Sequence, residues 1–211
     1  MTTDQQKLWE GKFGDLYQER NTPDEKEISN REKFLESVFM QIYSSYGIVP
    51  KSVLEVGAGQ GPNLMALEKL SIHKSIPIKL YATEINQIAR VKLSENTKTV
   101  DILDQIPAEP IADLVMTYGV LIHTHPAHVR NLQQKLFNAS NKFILSCEYF
   151  APEVRPLMYR GEKDALWLDD YGKRWLDNCS LRFVSYGFCW KLITGLDNVT
   201  FWLFEKKDKM I

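Results

Sequence analysis

The stretch Val53–Leu64 reads VLEVGAGQGPNL, a short apolar run that ends in an acid and a glycine-rich turn and then enters a helix. Gly57, Gly59 and Gly61 carry no side chains, so the backbone N–H groups of the turn can approach a ligand closely. An apolar strand that leads through such a turn to a helix N-terminus is typical of nucleotide-binding α/β proteins. The stretch therefore predicts an α/β fold with a nucleotide-like ligand at the end of its first strand.

The composition narrows the class of protein without naming a reaction. The 211 residues are 44% hydrophobic and 25% charged, which suits one core, and we expect a single domain over residues 1–211. A net charge of −1 gives no electrostatic footprint for nucleic acid or an anionic membrane, so the expected partner is a small molecule. The polar N-terminus and the three scattered cysteines favour a cytoplasmic, reduced protein, acting as a monomer or homodimer.

Apolar, β-rich runs recur from Val53 onward with helix-like segments between them. This alternation predicts a mostly parallel sheet with helices on both faces. We predict parallel strands at Ser52–Val56, Ile78–Glu84, Val100–Ile102, Ile111–Tyr118 and Lys142–Glu148. After Glu148 we predict a helix near Lys163–Leu176 and then a C-terminal antiparallel hairpin, Leu181–Leu192 with Val199–Glu205. The expected architecture is a three-layer α/β fold.

Residues 1–47 are expected to form a lid and a packing helix ahead of the sheet. The helix is indicated by apolar residues on one helical face between Phe34 and Tyr46. The lid is indicated by Leu8–Pro23, which is rich in aromatic residues and in residues that recognise charge. The alternative for this segment is a surface helix whose aromatic residues pack as core. Residues 149–177 are expected to form an insertion on the substrate side.

Acidic residues accompany three successive predicted strands. Glu55 lies two residues before the glycine turn, Glu84 closes the second strand, and Asp101 lies at the third strand's end. A carboxylate at Glu55 repels a pyrophosphate but attracts an ammonium group. Glu84 can accept hydrogen bonds from both ribose hydroxyls, and Asp101 from an adenine amino group. One residue rather than two separates Gly59 from Gly61, which also departs from the dinucleotide pattern, although a glycine turn alone leaves a dinucleotide open.

With these residues in this order, the chain resembles the Rossmann-like S-adenosylmethionine-dependent methyltransferases. A fourth family segment, which faces the transferable methyl group, is similar to ADLVMTYGVLIH at residues 112–123. The resemblance implies S-adenosyl-L-methionine as the cofactor. It also implies cofactor-binding roles for Glu55, Gly57, Ala58, Gly59, Asn63, Glu84, Ile85, Asp101, Ile102, Thr117 and Tyr118.

A narrower set of motifs resembles the methylases associated with pseudaminic acid biosynthesis. These motifs contain Trp9, Phe13–Asp15, Tyr17, Arg20–Asn21, Tyr159–Gly161, Leu166–Trp167 and Asp169–Gly172. The resemblance implies modification of a sugar or glycoconjugate. By analogy with lids in the wider family, it also implies that Tyr17 and Arg20 close over the cofactor, with Arg20 meeting its carboxylate.

Methyl transfer is an in-line displacement from a sulfonium, so the protein mainly aligns the acceptor and excludes water. For a hydroxyl acceptor we expect His123, just past the fourth strand, to act as the general base. The alternative is a structural histidine that bonds loop carbonyls. Tyr118 is the second catalytic candidate, as a hydrogen-bonding wall near the sulfonium or as packing. His123, His125 and His128 lack the spacing of helical zinc ligands, so we expect no metal.

The acceptor pocket is expected between the lid and the insertion. Polar and aromatic side chains there can grip an acidic sugar or another polar acceptor; they are Glu148, Tyr149, Arg155, Tyr159, Arg160 and Trp167. For each charged residue among them, a solvated surface position is the alternative. Two other functions stay open on the sequence: a short NAD(P)-dependent oxidoreductase and a non-catalytic cofactor-binding regulator.

Overall fold

A computed structural model describes residues 3–207; Met1, Thr2 and residues 208–211, which the predicted domain includes, lie outside the described residues. The helices are α1 (Asp4–Glu10), α2 (Lys12–Arg20), α3 (Glu25–Tyr46), α4 (Pro62–Lys74), α5 (Gln87–Asn96), α6 (Pro126–Ala139), α7 (Tyr171–Asn178) and α8 (Lys191–Thr194). The strands are β1 (Ser52–Val56), β2 (Lys79–Thr83), β3 (Val100–Leu103), β4 (Ala112–Tyr118), β5 (Ser140–Glu148), β6 (Arg155–Tyr159), β7 (Glu162–Leu168), β8 (Leu181–Cys189) and β9 (Val199–Lys206).

One 7-stranded sheet organises the molecule, in the order β3-β2-β1-β4-β5-β9-β8. Strands β1 to β5 pair in parallel, while β9 runs antiparallel to both β5 and β8. The predicted α/β fold with an antiparallel C-terminal hairpin is therefore confirmed. Because parallel strands end at the same edge, the segments after β1, β2, β4 and β5 lie side by side.

Two apolar clusters fill the space on the two faces of the sheet. On one face α3 and α4 pack against the sheet, with Phe34 set edge-on against Phe201 of β9. On the other face α6 and α7 pack, with Trp175 against Phe204. Helix α3 begins at the N-cap Asp24 and ends at Gly47, whose φ of 67° is the left-handed conformation favoured by glycine. This is the three-layer arrangement that the alternating pattern predicts.

The predicted helix near Lys163–Leu176 is wrong in its first half. Residues 163–168 belong to the second strand of the β6–β7 hairpin, and the second half is helix α7, which begins at Tyr171. The turn of the hairpin contains Arg160 and Gly161, with φ values of 52° and 88°. Two consecutive positive φ angles match a tight hairpin turn whose twist suits paired strands. The glycine after Arg160 was thus the sequence signal for a turn.

Helices α1 and α2 lie over the edge where the parallel strands end. The side chain of Asn86, at the start of α5, donates hydrogen bonds to the Trp9 carbonyl at 3.1 Å and to Asp15 Oδ1 at 2.8 Å. Gln60 of the glycine turn donates through Nε2 to the carbonyl of Gln18 at 2.6 Å. Helices α1 and α2, which we call the lid, therefore cover this edge of the sheet. None of the helices within residues 3–207 has the length and apolar composition needed to span a membrane.

Candidate active site

The glycine turn has the backbone that the sequence predicts. Gly57, Gly59 and Gly61 have φ values of 72°, 56° and 84°, all in the region that side chains disfavour. A Cβ added to Gly57 would also lie 2.6 Å from Cγ2 of Val120, in the loop after β4. The turn is therefore held close to that loop and exposes backbone where a ligand can approach.

Glu84 supports the turn from the end of β2. Its Oε2 accepts a hydrogen bond from the Gly59 N–H at 2.7 Å, and its Oε1 accepts from the Asn86 N–H at 2.8 Å. Burial raises the pKa of this carboxyl, while these backbone donors lower it. A carboxylate oxygen has more than one acceptor site, so Glu84 retains capacity for a further donor.

Glu55 is a buried carboxyl directly below the turn. Its Oε1 accepts from Asn63 Nδ2 at 2.5 Å, whereas its Oε2 has no hydrogen-bond partner among residues 3–207. Burial raises the pKa of Glu55 to about 7; the Asn63 hydrogen bond and the charge of Arg31 act against this rise. An unpartnered buried oxygen is costly, so this atom is suited to a positively charged hydrogen-bond donor.

Arg31 completes a chain of polar groups beneath the turn. Its Nη1 donates to Oδ1 of Asn63 at 2.7 Å, and its Nε and Nη2 donate to Oε1 of Glu27 at 2.9 and 2.7 Å. Its guanidinium also stacks 4.5 Å from the ring centroid of Tyr118. A guanidinium has five N–H donors, so donors remain for an anionic ligand. Sequence reasoning missed Arg31; its charge, one turn after Glu27 on an otherwise apolar helix face, was the available signal.

His123 lies under the lid at the end of a short 3₁₀ turn, Leu121–His123. Its ring packs 4.4 Å from Trp9 and 5.3 Å from Tyr159, measured between ring centroids. Nδ1 is 2.6 Å from the carbonyl oxygen of Ala165, which can only accept, so Nδ1 carries the proton and Nε2 is left as the basic nitrogen. Burial lowers the pKa of His123 to about 4, which keeps the ring neutral at pH 7.

Tyr17 and Tyr118 are two partly buried tyrosines near Arg31. Burial raises the pKa of Tyr17 to about 12, and Tyr159, Asp197, Arg31 and Tyr149 are near enough to influence it. Burial also raises the pKa of Tyr118, whose hydroxyl has no hydrogen-bond partner among the described residues. Both phenols are therefore protonated donors at neutral pH.

The side chains of Glu148 and Thr117 are buried and hydrogen-bonded to each other, so they do not line an open pocket. Glu148 is fully buried, and its carboxylate accepts from Thr117 Oγ1 at 2.9 Å and from the backbone N–H of Ile122 at 3.3 Å. Burial raises the pKa of Glu148 to about 7, despite these donors. We predicted that Glu148 contacts the methyl acceptor. In the structure its carboxylate instead fixes the loop that carries His123.

Two predicted cofactor residues, Asp101 and Arg20, are placed differently from the expectation. Asp101 is not at the strand end; β3 continues to Leu103, and the exposed Asp101 lies 3.9 Å from Lys79. Arg20 is exposed at the end of α2, whereas Arg31 points into the site. Ile102 is half-buried within β3. The sequence pattern therefore predicted the strands, but not where these side chains lie relative to the site.

The remaining predicted residues divide into three groups. Ala58 is buried in the glycine turn, and Ile85 follows Glu84 with 45% of its surface exposed. Trp167 is buried against His125, so it contributes to the core rather than to a pocket surface. Arg155 is exposed on β6, and the exposed Arg160 lies 5.7 Å from the ring of Tyr159.

The histidine group does not form a cluster with the acids. His125 and His128 approach each other at 5.9 Å between ring centroids, while His123 faces Trp9. Across residues 3–207 no group of three His, Cys, Asp or Glu side chains could hold a metal ion. The described site is thus assembled from hydrogen-bonding and ionisable side chains.

No protein-family model matches the sequence, and no curated protein sequence matches it significantly. Solved structures do match the fold. Magnesium protoporphyrin IX methyltransferase (ChlM) from Synechocystis, solved with bound S-adenosylmethionine (SAM), gives a TM-score of 0.64 at 13% sequence identity, covering 97% of this chain and 98% of that chain. The fold is that of the SAM-dependent methyltransferases.

Two further methyltransferases agree with this finding. The plantazolicin methyltransferase BpumL, in complex with S-adenosylhomocysteine (SAH), gives a TM-score of 0.60 at 14% identity, covering 96% of this chain and 94% of that chain. The 1,6-didemethyltoxoflavin-N1-methyltransferase of Burkholderia thailandensis, with 1,6-didemethyltoxoflavin and SAH bound, gives 0.61 at 13% identity, covering 88% and 80%. These enzymes share the methyltransferase fold, and each acts on a different acceptor.

Proposed function

We propose that this chain is a SAM-dependent methyltransferase that methylates a hydroxyl group of a small polar acceptor, of the sugar or glycoconjugate class. The proposal is carried by one observation: Glu55 and Arg31, of opposite charge, are joined through Asn63 directly beneath the glycine turn. The methionine part of SAM ends in an ammonium and a carboxylate. A carboxylate with an unpartnered oxygen beside a guanidinium with donors to spare complements that pair of charges.

The residues around the turn also suit the nucleoside part. Glu84 retains acceptor capacity for ribose hydroxyls beside the exposed backbone of Gly57 and Gly59. Ile85, half exposed beside Glu84, offers an apolar surface for an adenine ring. Arg31 takes the role first expected of Arg20, and Tyr17 covers the site from the lid. This arrangement supports a nucleoside without phosphates over a dinucleotide, because the buried Glu55 would repel a pyrophosphate.

When bound, SAM would supply an electrophilic methyl group for transfer to the acceptor oxygen, leaving SAH as the second product. His123 removes the acceptor's hydroxyl proton at Nε2, since Nδ1 is held by the Ala165 carbonyl. Trp9 and Tyr159 hold the imidazole plane and exclude water from it. Glu148 fixes the loop that carries the base, and the Tyr118 phenol forms a wall next to Arg31.

The acceptor class is supported by the resemblance of the N-terminal and hairpin motifs to sugar-associated methylases. The structural neighbours add that proteins of this fold are found with small organic acceptors bound, such as 1,6-didemethyltoxoflavin. We therefore propose a small-molecule partner.

Calorimetric titration of the purified protein with SAH tests the cofactor. We expect saturable binding of SAH and no binding of NADH or NADPH. Tight binding of a nicotinamide dinucleotide, with no heat from SAH, would overturn the proposal in favour of an oxidoreductase. Incubation with SAM labelled in its methyl group then separates an enzyme from a regulator, because a regulator binds the cofactor without forming a labelled product.

A further inference from the structure

An open cleft lies at the same edge of the sheet as the glycine turn, between the end of β5 and the connection from β8 to β9. Its volume is about 530 Å³, and it begins at Tyr149, immediately after β5. Ligand pockets span roughly 300 to 1,000 Å³, so the cleft can hold a ring of moderate size. We call it the β8–β9 cleft; neither Arg155 nor Arg160 of the β6–β7 hairpin lines it.

The strand register shows which face of the sheet the cleft uses. Thr200 of β9 pairs with Glu148 of β5 on one side and with Phe188 of β8 on the other. Residues directly opposite each other in paired strands point to the same face. Phe188 and Thr200 line the cleft, and Glu148 reaches from that row to the loop that carries His123. The cleft therefore opens on the face where the candidate base lies.

The walls of the cleft combine aromatic rings with hydrogen-bonding groups. Phe150 and Phe188 are 50% and 59% exposed, so each leaves part of its ring open to the cleft. Lys191, Asp197 and Asn198 also line the cleft. Aromatic faces attract polarised C–H groups, while carboxylate and amide groups bind hydroxyls. This combination suits a ring that carries C–H groups on its faces and hydroxyls on its rim.

The charges in the cleft are balanced. Lys191 Nζ lies 3.1 Å from Asp197 Oδ1, so the cation and the anion in the lining pair with each other. An acceptor with its own carboxylate or phosphate would have to compete for Lys191 and would meet Asp197. Because Lys191 and Asp197 neutralise each other, the cleft favours an uncharged acceptor. The acidic sugar considered earlier was suggested by Arg155 and Arg160 of the hairpin.

The lid connects the cleft to the candidate base. The Tyr17 hydroxyl is near enough to Tyr149 and Asp197, at the cleft, and to Tyr159 for their charges to act on it. Tyr159 in turn packs against the His123 ring. Strand β7 also links the two, because Leu168 lines the cleft and the carbonyl of Ala165, three residues earlier on the strand, accepts from His123 Nδ1.

We propose that the β8–β9 cleft is the acceptor site and that it binds a neutral, polyhydroxylated ring, stacked against Phe150 and Phe188 with its hydroxyls on Asp197 and Asn198. This proposal rests on the proposed function and deepens it, because it moves the acceptor away from the β6–β7 hairpin and removes the requirement for an acidic group.

The test uses the full chain, SAM labelled in its methyl group, and the small-molecule fraction of an extract from the source cells. Labelled product is hydrolysed in acid, and its sugars are separated by chromatography and charge. We expect the label in an O-methyl ether of a neutral sugar. A label on an acidic sugar, a label on a compound without sugar, or no labelled sugar while SAH binds normally would overturn the proposal.

Variants then locate the site. Phe150→Ala and Phe188→Ala are expected to raise the acceptor KM roughly tenfold or more, with SAH affinity unchanged within about twofold, because each removes a stacking face. Tyr186→Ala is the matched control, since this tyrosine is 69% exposed on the same strand as Phe188 but does not line the cleft. An unchanged KM in both phenylalanine variants contradicts the cleft assignment. Failure of the wild-type protein to bind SAH would instead refute the proposed function itself.

Discussion

The proposed cofactor site and the proposed acceptor site of this molecule differ in how their functional groups are held. Glu55, Asn63 and Arg31 form a buried chain of short hydrogen bonds that joins α3, β1 and α4. The β8–β9 cleft and the β6–β7 hairpin instead present exposed side chains, with Phe188 and Met158 at 59% and 66% exposure. Buried polar groups must be paired in detail, so they specify one ligand chemistry, whereas exposed groups tolerate change.

This difference fits the structural neighbours, which share a fold and act on unrelated acceptors. It fits the proposal that the edge of the parallel sheet holds the cofactor, while the segments C-terminal to β5 hold the acceptor. Substitutions on the buried side should therefore have larger effects than substitutions on the exposed side.

The largest effect is expected from Gly57→Ala. The added Cβ meets Val120 at 2.6 Å, and alanine disfavours the φ of 72°, so the turn has to move away from its ligand position. We expect SAH binding to be lost in calorimetry, with the fold retained by circular dichroism. Gly47→Ala is the control: its φ is 67°, but apart from its chain neighbours no residue between 3 and 207 has an atom within 4 Å of the added Cβ. It should lose only about 1–2 kcal/mol of stability, and a folded Gly57→Ala protein with wild-type affinity contradicts the site.

The next effect concerns the base. His123→Gln should lower kcat roughly 10²- to 10⁴-fold, the range attributed to general acid–base catalysis, and leave SAH affinity unchanged. Because burial lowers the pKa of His123 to about 4, the neutral base persists across neutral pH. With SAM saturating, kcat should therefore stay level down to about pH 5 and fall as the pH approaches 4. A variant with wild-type kcat would assign His123 a structural role.

A smaller effect, on SAH affinity, is expected when Arg31 is replaced, and replacing Arg20 provides the comparison. Arg31→Ala removes one partner of a buried charge cluster, for which about 2–5 kcal/mol, or roughly 30-fold or more in SAH affinity, is typical. Arg31→Lys keeps the charge without the planar fork and should recover part of the loss if the protein is folded. Arg20→Ala, on the exposed end of α2, should change affinity less than about twofold. A larger loss of SAH affinity in Arg20→Ala than in Arg31→Ala would indicate that Arg20 binds the cofactor carboxylate.

Glu55 should make cofactor affinity depend on pH. Its pKa is raised to about 7 in the free protein, and only the ionised form attracts an ammonium group. SAH should therefore bind with its full affinity above pH 7. Below pH 7 the affinity should fall by up to about tenfold per pH unit, because the Glu55 carboxyl must then release its proton when SAH binds. Titrations between pH 7.5 and 5.5 measure this slope. Glu55→Gln should bind more weakly with no slope, and an unchanged slope in that variant assigns the titration to another group.

The smallest effect is expected on the exposed hairpin. Removing both guanidinium groups, with Arg155→Ala and Arg160→Ala in one protein, should change the acceptor KM less than about twofold, since both are solvated. Initial rates at saturating SAM measure this. A large rise in the acceptor KM would indicate that the acceptor binds at the β6–β7 hairpin and would contradict its assignment to the β8–β9 cleft.

The strands that precede the site were largely predictable. Ser52–Val56 was predicted with its observed ends, because a short apolar run bounded by polar residues and glycines leaves few alternatives. The segment after Glu148 was less predictable. Its buried run Ala165–Trp167 fits a helix or a strand equally well in sequence, and the positive φ of Arg160 becomes visible only when the hairpin closes.

Local sequence was enough to establish the α/β order of elements, the glycine turn, and the acids Glu55 and Glu84 beside it, since each depends on periodicity or on backbone that only glycine permits. Folding in three dimensions was needed to show that Arg31 rather than Arg20 faces the site, that Glu148 braces a loop, and that a cleft opens beside Phe188. These facts depend on contacts between residues far apart in the chain, and the spacing of residue types does not encode them.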